Sequence, residues 1–284
     1  MQVVEKIDEM RRLRHTLSEP VGFVPTMGYL HEGHLSLVRG ARAENPSVVA
    51  SIFVNPTQFG PREDLDKYPR DIERDLALLQ KEKTDLVFMP SAAEIYPPHF
   101  DSWVEVNGVT ERLEGASRPG HFKGVTTVVA KLFNIVRPTR AYFGQKDAQQ
   151  AAVIRKMVSD LNMDLKIVIL PTVREPDGLT MSSRNTYLNP EERRAAVVLS
   201  RALTLAQQLF SQGKRDSEVI RQQMISLIEK EPLADTEYVS VADAETLAEL
   251  GRINSPALVS LAVKIGKTRL IDNFVLCKDK KLTP

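Results

Sequence analysis

Five short apolar runs punctuate the first 171 residues: VGFVP (21–25), SVVASIFV (47–54), DLVFMP (85–90), AYFG (141–144) and LKIVILP (165–171). Stretches of helical character lie between them, at 34–45, 69–83, 122–136 and 146–161, and in the second of these Ile72, Leu76 and Leu79 recur at helical spacing. Short apolar strands alternating with amphipathic helices require a parallel sheet covered by helices on both faces. The expected class is therefore α/β, a Rossmann-like doubly wound parallel sheet. Ligands of such sheets sit beyond the carboxyl ends of the strands.

Past Pro171 the pattern changes. Residues 173–188, VREPDGLTMSSRNTYL, read as a long loop. Asn189–Pro190–Glu191–Glu192 then supplies a helix start, with a capping amide, a proline in the first turn and an acid at the third position. That helix is expected to reach about Gly213, and a second to run from Asp216 to about Lys230. Two or three strands follow, at 236–243, 257–265 and 268–276. The expected domains are 1–172, carrying the sheet, and 173–284, a smaller α+β C-terminal domain.

The chain has 284 residues, 42% hydrophobic and 26% charged, enough for two cores in a soluble globular protein. Its 38 Lys plus Arg against 37 Asp plus Glu leave a net charge of +1, without the basic excess of a nucleic-acid-coating protein. Cys277 is the only cysteine, so neither an intrachain disulfide nor a cysteine–zinc cluster can form. No run approaches the ~18 apolar residues of a membrane span. The expected setting is cytoplasmic, with no membrane partner.

PTMGYLHEGH (25–34) follows the first apolar run and places His31 and His34 around Gly33. A histidine after a strand is ordinarily a surface or satisfied polar group. Zinc is a poor fit, because a zincin needs histidines at i and i+4 whereas these are at i and i+3; no metal ligands are assigned. An anion fits better. If His34 opens a helix, both imidazoles stand beside unpaired N–H groups and positive partial charge, where phosphate binds. Gly28 permits a sharp exit from the strand, and Gly33 lets a ligand approach the backbone. No G-x-G or G-x-S-x-G occurs, and GKT at 266–268 lacks the earlier P-loop glycine, Leu261 standing there.

The chain resembles the nucleotidylyltransferase superfamily at this His-x-Gly-His segment. Four further segments are similar to the pantothenate synthetase family: SIFVNPTQF (51–59), LEGASRPGHFKGV (113–125), YFGQKDAQQ (142–150) and MSSRN (181–185). The resemblance implies ATP-dependent condensation of pantoate with β-alanine through a pantoyl adenylate, releasing pyrophosphate and AMP. It implies Mg2+ accompanying ATP and a homodimer formed through the first domain.

Carried residue by residue, the resemblance assigns His34, His31 and Lys146 to catalysis. Met27, Gly28, Tyr29, Leu30, His31, Glu32, Gly33 and His34 would wrap the triphosphate, joined by Gly144, Gln145, Lys146 and Asp147. Val173 would meet adenine, and Met181, Ser182, Ser183 and Arg184 would complete the ATP-binding set. Gln58 and Gln150 would hold pantoate. Arg118, His121 and Lys123 are weaker candidates, for a lid or subunit contact. From the residues alone a lysine and aspartate at a helix start form an ordinary surface pair, and MSSRN is a polar loop. Two rivals stay open: a nucleotidylyltransferase acting on a phosphate acceptor, and a non-catalytic nucleotide- or RNA-binding module.

Overall fold

The computed structural model describes residues 1–61 and 63–277. The chain divides into two compact units, the first ending at Pro171 and the second beginning at Thr172.

In the first unit the apolar runs form one parallel sheet. Its strands are β1 (Gln2–Val4), β2 (Val21–Thr26), β3 (Ser47–Ile52), β4 (Leu86–Phe88), β5 (Arg140–Gly144) and β6 (Lys166–Leu170), ordered β1–β4–β3–β2–β5–β6. Helices α1 (Ile7–Arg14), α2 (Glu32–Glu44), α3 (Ile72–Lys81), α6 (His121–Val136) and α7 (Ala148–Asp160) are joined by the one-turn α4 (Ala92–Ile95) and α5 (Glu114–Ser117). Side chains alternate across a strand, and both faces are dry. Phe23, Val49, Phe88 and Phe143 pack with apolar residues of α1, α6 and α7. Val24, Val48, Ala50, Val87 and Tyr142 pack on the other face with α2 and α3. The doubly wound α/β expectation holds.

In this unit β1, α1 and the one-turn α4 and α5 escaped the sequence reading. The N-terminal stretch contributes β1 beside β4 and then the highly charged α1, whose Met10 alone is fully buried. Ile7, Met10 and Leu13 do recur at helical spacing, but charged residues fill every position between them and the segment was passed over.

The chain steps from β2 through β3 to β4 on one side, and β5 then returns to the other side of β2. The direction of winding thus reverses between β2 and β5. The turns leaving their carboxyl ends are neighbours, and that is the crevice where such sheets bind ligands.

The second unit contains α8 (Pro190–Ala195), α9 (Val198–Ser211), α10 (Ser217–Ile228) and an antiparallel sheet of β7 (Ala234–Asp243), β8 (Ala257–Ile265) and β9 (Thr268–Leu276). Leu199, Leu203, Ile220 and Met224 bury against Val241, Val259, Leu261 and Val263 in its own core. The α8 cap forms as expected. Asn189 Oδ1 accepts the Glu191 and Glu192 N–H groups, each at 2.9 Å, and Glu192 Oε2 accepts the Asn189 N–H at 3.0 Å. Two expectations need correction. The helix from 190 is broken at 196–197, where Val197 N–H bonds to Arg194 and Leu199 N–H to Ala196, a tighter i−3 turn. The expected loop 173–188 contains an Arg174–Thr180 bridge and a 3-10 turn, Ser183–Tyr187.

Candidate active site

The backbone leaving β2 turns through two successive left-handed residues, Gly28 (φ 78°) and Tyr29 (φ 50°). Gly28 N–H donates to Thr26 Oγ1 at 3.1 Å. The next two amides go to one carboxylate: Tyr29 N–H donates to Asp75 Oδ2 at 2.6 Å and Leu30 N–H to Asp75 Oδ1 at 2.7 Å. Asp75 lies on α3 and is 1% exposed. Burial raises its pKa, against the opposing pull of those two N–H donors. The sequence reading passed over it. Asp75 stands three residues after Ile72 and four before Leu79, so an acid on the apolar face was the available signal.

His31 is the N-cap of α2, which therefore begins at Glu32 rather than at His34. His31 Nδ1 accepts the Gly33 N–H at 3.1 Å, and His34 Nδ1 accepts the His31 N–H at 3.4 Å. The two rings lie 4.1 Å apart, tilted by 37°. A neutral imidazole that accepts at Nδ1 carries its proton at Nε2, so both rings present an Nε2–H. His34 stays neutral, its pKa pulled down to about 3, first by burial and then by His31, with Lys146 lowering and Asp147 raising it.

That coupling also locates Lys146 and Asp147 near His34. They occupy the 3-10 turn Gln145–Asp147, directly after Gly144 ends β5, and Lys146 Nζ lies 3.2 Å from Asp147 Oδ1. Neighbouring parallel strands thus deliver the two histidines and this lysine to one sheet edge.

Gln58 closes the turn Pro56–Gln58 that follows β3. Its Nε2–H donates to Met27 Sδ at 3.2 Å, and its Oε1 accepts from Asn55 Nδ2 at 3.0 Å. The glutamine therefore abuts the start of the histidine loop. Gln150 lies partly buried in the first turn of α7. Its neighbour Gln149 is buried and holds the 109–114 segment, donating to the Val109 and Arg112 carbonyls and accepting the Glu114 N–H. His121 and Arg118 brace the Gln58 turn. His121 Nδ1–H donates to the Gln58 carbonyl at 2.8 Å, and its Nε2 accepts from Arg118 at 3.2 Å. Arg118 grips both Glu63 oxygens, at 2.8 and 2.6 Å. Lys123 lies 5.6 Å over the Trp103 ring.

Val173, Met181, Ser182, Ser183 and Arg184 belong to the second unit and gather there. Met181 N–H bonds to the Val173 carbonyl at 3.1 Å, Ser182 Oγ accepts the Arg184 N–H at 3.3 Å, and Ser183 is buried. Among the described residues no three His, Cys, Asp or Glu side chains assemble a metal site, and no helix is long and apolar enough to cross a membrane.

A family model described as pantoate-beta-alanine ligase matches residues 2–275. The chain belongs to that family. Similar curated members of this ligase family are the pantothenate synthetases of Roseiflexus castenholzii, 61% identical over 276 residues, and Herpetosiphon aurantiacus, 62% identical over 277. These alignments cover 97% of this chain and 99% and 100% of those proteins, respectively. The pantothenate synthetase of Thermus thermophilus superposes with a TM-score of 0.93 at 49% identity, covering 96% of this chain and 99% of that one. The pantoate-beta-alanine ligase of Francisella tularensis, solved with beta-gamma ATP and beta-alanine, gives 0.80 at 36% identity, with 97% of both chains covered.

Proposed function

We propose that the edge holding His31, His34 and Lys146 grips the polyphosphate of ATP while pantoate, beside Gln58, attacks its α-phosphorus. The reaction is that of the family: ATP-dependent condensation of pantoate with β-alanine to pantothenate, through pantoyl adenylate, with pyrophosphate and AMP released. The observation that carries the site assignment is the locked pair of imidazoles. Each spends Nδ1 on a backbone N–H and so offers Nε2–H as a fixed donor.

Pantoate's carboxylate is unreactive toward an amine until it is activated. In-line attack on the α-phosphorus forms the mixed anhydride and releases pyrophosphate, and the amine of β-alanine then displaces AMP from the acyl carbon. Preorganised donors beside the charge that develops on the leaving phosphates lower the barrier without reorganising. Neutral Nε2–H groups and the Lys146 ammonium serve as those donors, so we assign His34 as a hydrogen-bond donor rather than a proton donor. Gln58 and Gln150 orient pantoate without adding charge.

Met27, Gly28, Tyr29, Leu30, Glu32 and Gly33 complete the loop assigned to ATP, with Gly144, Gln145 and Asp147. The assignment also includes Val173, Met181, Ser182, Ser183 and Arg184. Mg2+ would enter with ATP as part of the substrate and would supply positive charge to the phosphates, with no protein ligands assigned to it. The Francisella ligase, solved with an ATP species and β-alanine, supports this substrate set. The reading includes a cytoplasmic homodimer, and light scattering that returns a monomer would remove the dimer from it.

Pyrophosphate release should require ATP and pantoate, and AMP release should require β-alanine as well. A stable dinucleotide product would instead mark a transferase acting on a phosphate acceptor. ATP binding without pantoate-dependent pyrophosphate release would favour a binding module.

A further inference from the structure

We infer that Asp75 is a positioning residue for adenylate formation: its carboxylate, gripping two consecutive amides of the loop after β2, fixes where the His31 and His34 donors stand. The inference rests on the proposed assignment of that loop to ATP.

Three contacts converge on the loop from α3 and β3. Asp75 Oδ2 and Oδ1 accept the Tyr29 and Leu30 N–H groups at 2.6 and 2.7 Å. The Arg74 guanidinium stands 5.5 Å over the Tyr29 ring. A Cβ at Gly28 would meet Asp75 Oδ2 at 3.1 Å and Ile52 Cγ2 at 3.0 Å, so the chain passes close against both. The clasp is placed where the backbone needs it. Tyr29, at φ 50°, occupies the left-handed region that non-glycine residues disfavour, and such a conformation persists only when its surroundings hold it. His31, which begins the interlocked imidazole pair, follows Leu30 directly.

A merely stabilising buried acid would be expected to pair with a cation. Asp75 instead spends both oxygens on adjacent amides two residues and one residue before His31, and among the described residues it forms no ion pair. A carboxylate can accept both bonds, whereas an asparagine of the same shape has one accepting oxygen and must turn its NH2 toward the other N–H. The isosteric change therefore breaks the clasp without emptying the site.

The test is Asp75→Asn in the full-length protein, compared with wild type and His34→Ala, by pantoate-dependent pyrophosphate release. The expected result is a rise of about tenfold or more in the KM for ATP and a slower adenylate step, as loss of positioning produces. The KM for pantoate should stay within about twofold. Nitrogen-15 shifts of His34 in the unliganded protein should move from a single Nε2–H tautomer toward a mixture, with its pKa rising from about 3. Should Asp75→Asn not fold, Asp75→Ser, which keeps a single acceptor, is read by the same measures. An unchanged KM for ATP and His34 tautomer, with His34→Ala inactive, overturns the role of Asp75 and leaves the ATP assignment standing. Equal rises in both KM values alongside a collapsed melting temperature also overturn it, as the mark of a purely structural acid. If His34→Ala itself retains normal pyrophosphate release, the ATP assignment fails and the inference fails with it.

Discussion

His31 and His34 are locked by main-chain N–H groups, not by acids, and this decides what they can do. Each imidazole accepts at Nδ1, so its proton is fixed at Nε2. His34→Ala and Lys146→Ala should each slow adenylate formation by about 10²-fold, the usual loss when a donor to a developing oxyanion is removed. Pyrophosphate-release rates near normal in both would count against the assignment. With its pKa lowered to about 3, His34 is neutral at pH 5 and above. The adenylate step should therefore show no acid limb near pH 6.5 that His34→Gln removes. A pH–rate profile in which it does would restore the proton-donor role. The placing of residues 31, 34 and 146 just past strand ends was legible from sequence because each follows a short apolar run, while their proposed roles come from the family resemblance. Asp75 was passed over: its place on the apolar face was a signal that it points inward, but no local pattern names the amides it meets, 45 and 46 residues earlier.

At the scale of elements, the turn bearing Gln58 is held by the start of α6. A Cβ at Gly124 would lie 2.4 Å from the Thr57 carbonyl oxygen and 2.7 Å from the Gln58 N, both backbone atoms that cannot step aside cheaply. Gly124→Ala should push this turn away and raise the KM for pantoate by about tenfold, while the KM for ATP changes less. Steady-state kinetics with each substrate varied would show it. At the start of α8, Asn189→Ala should cost about 1 kcal/mol in urea unfolding, the usual loss of an N-cap side chain. That helix start was readable because a cap is a local device: Asn, Pro and Glu act within four residues. The break at 196–197 was not, because Ala196, Val198 and Leu199 are all core residues and the apolar pattern runs on through it.

For the whole molecule, buried histidine links stability to pH. His121 is held neutral, its pKa lowered to about 4 by burial and then by Arg118. The unfolded chain takes up a proton near pH 6.5 that the folded chain refuses until about 4, so stability falls as the pH drops through that window. Between pH 6.5 and 5 this contributes a loss of about 2 kcal/mol. Urea unfolding of His121→Gln should show a shallower decline over the same range, and an identical slope would exclude the linkage. The sequence by itself determined the α/β class, the parallel sheet, the capped start of α8 at Asn189 and the short motifs at strand ends. These rest on periodicity and on contacts within a few residues. Only the tertiary structure decided which strands adjoin, that the winding reverses between β2 and β5, and that Asp75 and His121 serve the loops at 29–30 and 58. Those pairings join residues 45 to 118 positions apart, and they are selected by the burial of two sheet faces at once, a condition no local pattern encodes.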